Sequence, residues 1–177
     1  MQRTPLKEFE PALKKRLEEL WGTPPNLYRA LANHPAIVGA WTEFANTLRH
    51  GSRTPRALRE LVILRGAQLS ASEYEWAQHL RMARKAGVRE EQIRDLSAWK
   101  GSANFSAKEK AALALGEAVT QGHVGDEVYA EAMRHFDHHD YVEIALVAAF
   151  YAMVGRMLDA MGVQLDADVR NYSPKLP

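Results

Sequence analysis

The chain has 177 residues, 23 basic and 22 acidic, for a formal charge of +1, and it contains no cysteine. That length fits one domain whose core needs no staples. A near-neutral balance offers no global field to draw nucleic acid or an anionic membrane. The missing cysteines exclude disulfides, thiolate metal sites and cysteine nucleophiles.

Helical periodicity dominates, and strand alternation is essentially absent. The spacing predicts helices near residues 6–20, 36–50, 55–69, 71–86, 90–97, 106–121, 126–136 and 140–161. The N-terminal 20 residues alternate charged and apolar positions and lack the apolar core of a signal peptide. Residues 21–26 (WGTPPN) read as a turn or hinge between the first helix and the rest. Thr54-Pro55 opens a helix with proline at its first position, and Gly87 closes another as a C-cap. Ser106-x-x-Glu109 and Asp126 start two more. The most apolar segment, residues 144–154, is about half of the ~20 residues a membrane span requires, so no membrane association is expected. Residues 166–177 read as a loose tail. With no cysteine and no export signal, a soluble, cytoplasmic protein is the expectation.

A weak echo links two segments. Glu60 opens ELVILRGAQL and Glu143 opens EIALVAAFYAMVGRMLDAMGV, both apolar nearly all round. Such helices must be covered on most sides, by a central position or by subunit contacts.

Residues 72–87 (SEYEWAQHLRMARKAG) read as one amphipathic helix. At 100° per residue, Ser72, Glu75, Trp76, His79, Met82, Ala83 and Ala86 share about one third of the circumference, opposite Glu73, Gln78, Arg81, Arg84 and Lys85. Glu75 and His79 are thus adjacent polar groups on an inward stripe, where burial is costly unless they are partnered. Glu60 shares a helical face with Ala57, Leu64 and Ala67, one turn after Arg56. Blander readings exist for each residue: an ion pair of Arg56 with Glu60, a capping box at Ser72 or at Ser70, and a core histidine bonded to a carbonyl. Convergence of all three points instead to a site, since carboxylates and imidazoles in dry surroundings have tunable pKa values.

The pattern of Arg59-Glu60-Leu61, then Ser72, then Glu73-Tyr-Glu-Trp76-x-x-His79 resembles the carboxymuconolactone decarboxylase family, within the superfamily of the alkylhydroperoxidase AhpD. The similarity runs over roughly residues 34–163. It implies an all-α, AhpD-like helical bundle as a single domain over 35–165, with 1–34 as an N-terminal extension and 166–177 as a tail. It also implies trimers or hexamers with a pocket near subunit contacts. In the peroxidase branch two cysteines lie where this chain has Ser72 and Glu75. Serine and glutamate supply neither a thiolate nucleophile nor a resolving thiol, so peroxide turnover is not expected.

What remains is an acid–base set. The resemblance implies a decarboxylase-like lyase acting on a small unsaturated lactone or keto acid, in aromatic or organic-acid catabolism. Another acid–base enzyme, or a non-catalytic oligomer with a buried pair of Glu60 and His79, stays open. His79 is expected to move the proton, Glu60 to orient it, and Glu75 to share it or to bind substrate. Ser72 and Trp76 are expected to line the pocket, and Arg53 and Arg56, at a helix N-terminus, to receive a substrate anion. No cofactor is required, because an unsaturated lactone is its own electron sink. His135 and His139, four apart, invite a metal reading, but the Asp137 and Asp140 turn and the lack of further ligands favour no metal. Trp21, Trp41 and Trp99 read as core or interface residues far from the motif. Arg81, Arg84, Lys85 and Arg89 read as a solvated face.

Overall fold

The computed structural model describes residues 2–170 and residue 176. Helices account for 71% of the chain, and no strand occurs among the described residues, as the periodicity requires. Helix α1 (Pro11–Trp21) starts later than the pattern suggests. Proline disfavours helical geometry in the residue before it, so Glu10 is extended and residues 3–8 run as a strap. The strap is tied by Arg3 and Thr4 amides to the Met161 carbonyl and by Lys7 to that of Arg29. Helix α2 (Asn26–Leu31) follows the two prolines, and α3 (Pro35–His50) begins with Pro35 in its first turn. The side chain of Trp21 lies outside the described residues.

Helix α4 (Arg56–Leu69) is the centre of the molecule. It packs against α5 (Glu73–Lys85), α7 (Ala107–Gln121) and α9 (His138–Met161). Eight of its residues are buried, which answers its all-round apolar character with a central position. Pro55 is its N-cap and not its first helical residue. Two apolar clusters flank α4. Leu58, Val62 and Ile63 join one with residues of α2, α3, α7 and α9, while Leu61, Leu64 and Ala67 join Trp76, Leu96, Trp99 and Leu113 in the other. Gly116 on α7 faces Val62 so closely that a Cβ there would lie 2.7 Å from its Cγ1.

The connection from α4 to α5 takes three residues, Ser70, Ala71 and Ser72. Ala71 has φ 49°, a left-handed conformation that is costly for a residue with a Cβ. The Ser72 amide donates to the Ala67 carbonyl at 2.9 Å, and this tight reversal sets α5 against α4. Ser72 is the N-cap of α5, accepting from the Glu75 amide at 3.4 Å, whereas the Ser70 hydroxyl turns back to the Gly66 carbonyl. Gly87, at φ 93°, lies just beyond the end of α5. Ser106 and Glu109 form the expected capping box of α7.

Short α6 (Glu90–Asp95) and α8 (Asp126–His135) complete the bundle. Helix α9 begins two residues before the sequence pattern, because the Asp137 side chain caps it by accepting from the Asp140 amide. At 24 residues, α9 is long and apolar enough to cross a membrane by length and composition, which the count over 144–154 missed. Ile144, Val147, Phe150 and Val154 nevertheless lie in the core, while Val142, Leu146 and Met153 are exposed. The tail expectation fails for residues 166–169. Asp166 accepts from the Asn26 amide, the Tyr74 hydroxyl and the Gln78 side chain, and Val169 is buried at the start of α10 (Ala167–Arg170). Three donors satisfied by one carboxylate outweigh the weak local propensity there. Residues 171–175 and 177 lie outside the described residues.

Candidate active site

Two helical pairs, each four residues apart, build the centre of the site: Arg56 with Glu60 on α4, and Glu75 with His79 on α5. The hairpin through Ala71 brings them together. The Arg56 Nε donates to Glu60 Oε1 at 2.6 Å, with Nη2 also on that oxygen. The other Glu60 oxygen lies 2.8 Å from His79 Nδ1. The His79 Nε2 lies 3.5 Å from Glu75 Oε2. Glu60 is 0% exposed, His79 3% and Glu75 4%, so the array is dry.

Burial pushes the Glu60 carboxyl up, but the charge and hydrogen bond of His79 and the Arg56 guanidinium more than offset it. The result lies below the ordinary carboxylate range. An ionised Glu60 only accepts, so His79 Nδ1 carries a hydrogen and Nε2 is the working nitrogen. Burial pushes Glu75 up to about 7. The His79 charge opposes that, Glu60 adds to it and Arg49 opposes it. Glu75 Oε2 is buried without a hydrogen-bond partner among the described residues. At 3.5 Å its approach to Nε2 is an ion-pair contact just short of a formed hydrogen bond. Glu75 occupies the third position of α5, where a capping box would turn it back to the Ser72 amide, yet it turns inward.

Glu75 and His79 open on a cavity of about 70 Å³. Tyr28, Trp41, Phe150 and Tyr151 wall it, Leu27, Ala45, Met82 and Val154 add apolar surface, and Arg49 and Gln78 supply polar groups. The Tyr151 ring meets His79 edge-on at 4.6 Å between centroids, and Trp41 packs on Phe150 at 4.8 Å. Trp41 also hydrogen-bonds the Tyr28 hydroxyl, whose pKa burial pushes up to about 12 against the Arg49 charge. Burial raises Tyr151 as well, so both phenols stay protonated at neutral pH. Pro25, Gln78 and Met82 are shared with a wide outer groove bordered by the strap and Asp166.

Glu60, Glu75 and His79 therefore come together as their spacing predicts, with Glu60 behind His79 and outside the cavity wall. The four expected substrate contacts do not line it. Ser72 is spent as an N-cap, packed where Gly155 approaches. Trp76 is buried with Leu61, Leu64 and Trp99. Helical phase places Trp76 beside Glu75 and His79, but α5 is buried on so many sides that one stripe is split between two neighbours. Arg53 is exposed and pairs with Asp137 and Asp140 at the N-terminus of α9. Arg56 is committed to Glu60, with further contacts to the Arg49 carbonyl and the Met82 sulfur.

Trp41, expected far from the motif, lies in the cavity wall instead, because α3 packs its Trp41 and Phe44 on Phe150 of α9. Trp99 is buried as expected, its indole donating to Glu117 at 2.8 Å. Arg49, Tyr28, Phe150 and Tyr151 were not singled out from sequence, and Gln78, placed by helical phase on the outer face, is buried in the lining instead. For Arg49 a signal existed: Trp41, Ala45 and Arg49 are spaced by four on one helical face. The charged face of Arg81, Arg84, Lys85 and Arg89 is exposed as expected.

His135 ends α8 and His139 begins α9, so they do not share a helix face. Donor atoms of His139, Asp140 and Glu143 do lie within 4.8 Å of one another. Glu143 already accepts from the Arg53 and Thr54 amides, and Asp140 from the Arg53 guanidinium. With that cation in place, the cluster is an ion-paired helix start.

The protein resembles known structures along nearly its whole length. A debrominase, Bmp8, in complex with 2,3,4-tribromopyrrole superposes with a TM-score of 0.80 at 19% identity, covering 95% of each chain. An uncharacterised peroxidase-related protein from Silicibacter sp. TM1040 gives 0.82 at 19% identity, over 95% of this chain and 93% of that one. The AhpD core of a peroxidase-related protein from Ralstonia eutropha JMP134 gives 0.80 at 18% identity, over 95% and 94%. These likenesses establish an AhpD-like fold. In sequence, the uncharacterised Bacillus subtilis protein YdfG is 34% identical over 110 residues, 60% of this chain and 75% of that protein. Residues 35–118, which hold Glu60, Glu75 and His79, match the model of one family. The chain is a member of the carboxymuconolactone decarboxylase family.

Proposed function

We propose that this protein is a cofactor-free acid–base lyase that decarboxylates a small unsaturated lactone or keto acid and protonates the carbon left behind. The single observation that carries this reading is the buried line from Arg56 through Glu60 and His79 to Glu75, ending at an aromatic-walled cavity. In the reaction the bond to the carboxylate breaks, its electron pair moves into the conjugated carbonyl, and CO2 departs. The resulting carbanion equivalent takes a proton at carbon from the pair formed by His79 Nε2 and Glu75. Glu60 fixes the imidazole through Nδ1, and Arg56 keeps Glu60 ionised, so the proton the site gives up is the one facing the cavity. Such proton transfer is typically worth 10²–10⁴-fold. Water returns that proton to the pair after each turnover.

Family membership supports the reading, and the cysteine-free sequence sets the chain apart from thiol chemistry. Reversible proton exchange between Glu75 and His79 would equally serve an isomerase, which is the second reading. We further propose that the protein works as a homo-oligomer of three or six subunits. Exposed Ile37 and Phe44 on α3, with Val142, Leu146 and Met153 on α9, support this.

The test is a panel of single-ring lactone acids and β-keto acids scored for CO2 release, followed by His79→Ala and Glu60→Gln. His79→Ala is expected to lower turnover by at least ~10²-fold in a protein that still folds. If the pair is only structural, turnover per folded molecule survives and stability falls by ~3–5 kcal/mol, because Glu60 loses a partner in the interior.

A further inference from the structure

We propose that Arg49 is the oxyanion-binding residue of this cavity, and that the site takes a flat, single-ring ligand carrying one negative charge and rejects dianions. The inference rests on the acid–base reading above and names its substrate class. Among the described residues lining the cavity, Arg49 is the only arginine or lysine, and it shares that lining with Glu75. Its backbone is held: the Arg49 carbonyl accepts from Arg59 Nη2 at 3.1 Å and from Arg56 Nη1 at 3.4 Å, pinning the last turn of α3 to the start of α4. Its charge acts on Tyr28 of α2, Glu75 of α5 and Tyr151 of α9, all of which line the same cavity.

Size and shape limit the ligand. The cavity measures about 70 Å³. That is less than half of the roughly 150 Å³ that holds benzene, so a single ring is the upper limit and must project through the mouth. Trp41, Phe150 and Tyr28 favour a flat face. The outer groove mixes both signs, with Glu8 paired to Arg29 and Asp168 to Arg81, so it offers little steering. Selection by charge therefore falls to Arg49.

Charge accounting fits the chemistry. A monoanionic acid carries its charge on the carboxylate, which lies within the field of Arg49 but sits against the aromatic walls without pairing to it. When the carbon–carbon bond breaks, neutral CO2 leaves and the same charge appears as an enolate oxygen, which Arg49 receives. Holding the departing carboxylate on Arg49 would instead stabilise the ground state and slow its loss. The enolate is discharged when the Glu75 and His79 pair protonates carbon. A second anionic group on the ligand would meet Glu75, with Glu60 behind it, and no second arginine or lysine among the described residues of the wall.

The experiment uses 4-nitrophenol, a single-ring oxyanion whose visible absorbance reports its ionisation, titrated into the intact protein at mildly acidic pH. Binding is expected to raise the phenolate fraction. Arg49→Gln is expected to abolish that rise and weaken binding by roughly 10-fold or more, with Arg49→Lys intermediate. Benzoate should displace the probe at least ~10-fold better than benzamide or isophthalate, a comparison made on the unaltered protein and independent of how Arg49→Gln folds. Undiminished phenolate binding by folded Arg49→Gln, equal competition by isophthalate, or no binding of the probe at all overturns the proposal. His79→Ala separates this result from the acid–base reading. It should still bind phenolate while losing turnover, and turnover that survives would remove the acid–base reading and leave the charge selection standing.

Discussion

Replacing Glu75 by glutamine should change how stability depends on pH. Burial holds Glu75 near 7 in the folded protein, against an ordinary value of 4.5. Between those values the folded state keeps the proton and the unfolded state has lost it, so stability falls as pH rises through this window. The contribution is complete below about pH 4.5, lost by about pH 7 and flat above. At 1.36 kcal/mol per unit, the fall amounts to about 3 kcal/mol. Glutamine has no proton to lose and still offers Nε2 of His79 a donor, as protonated Glu75 does. The advantage of Glu75→Gln over the unaltered protein should therefore grow by about 3 kcal/mol from pH 4.5 to 8, or roughly 6–12 °C in melting temperature for a chain of this size. Glu60 does not confuse the measurement. Its carboxyl is held below 4.5, so its contribution is present above that value and lost only in more acidic solution. Thermal or urea melts of both proteins at half-unit steps supply the data. Parallel curves across the window would show that Glu75 does not hold its proton near neutrality, and would remove the shared proton on which the acid–base reading depends.

The packing of α7 on α4 is testable through Gly116→Ala, which should destabilise by about 1–3 kcal/mol in urea melts despite the better helix propensity of alanine, because its Cβ would lie 2.7 Å from Val62 Cγ1. Pairing it with Val62→Ala should recover part of that loss. The exposed apolar stripe gives an assembly prediction: light scattering should report three or six subunits, and Phe44→Glu with Leu146→Glu should yield a folded smaller species. A stable monomer of the unaltered protein at micromolar concentration would refute the assembly.

Some of this molecule follows from sequence alone because the physics involved is local. Ser106 with Glu109, and glycine just past α5, are decided within one helical turn, where a side chain or a positive φ satisfies the end of a helix. The apolar girth of residues 60–69 dictated a helix that must be covered, and α4 is covered on most sides. The inward phase of Glu75 and His79 on one helix, with Glu60 on another, likewise pointed to the pairing that the structure forms at 2.8 Å. Phase failed where several neighbours compete for one stripe: Trp76 shares that phase but faces the second cluster. Proximity to the motif misled for Arg53 and Arg56, whose charges are satisfied by Asp137, Asp140 and Glu60 before any ligand arrives. Arg49, Trp41 and Tyr28 enter the site only because α3 packs on Phe150 of α9 and α2 meets Tyr74 of α5. Contacts between helices that far apart in the chain depend on how whole apolar faces pack, and no short-range spacing records that choice.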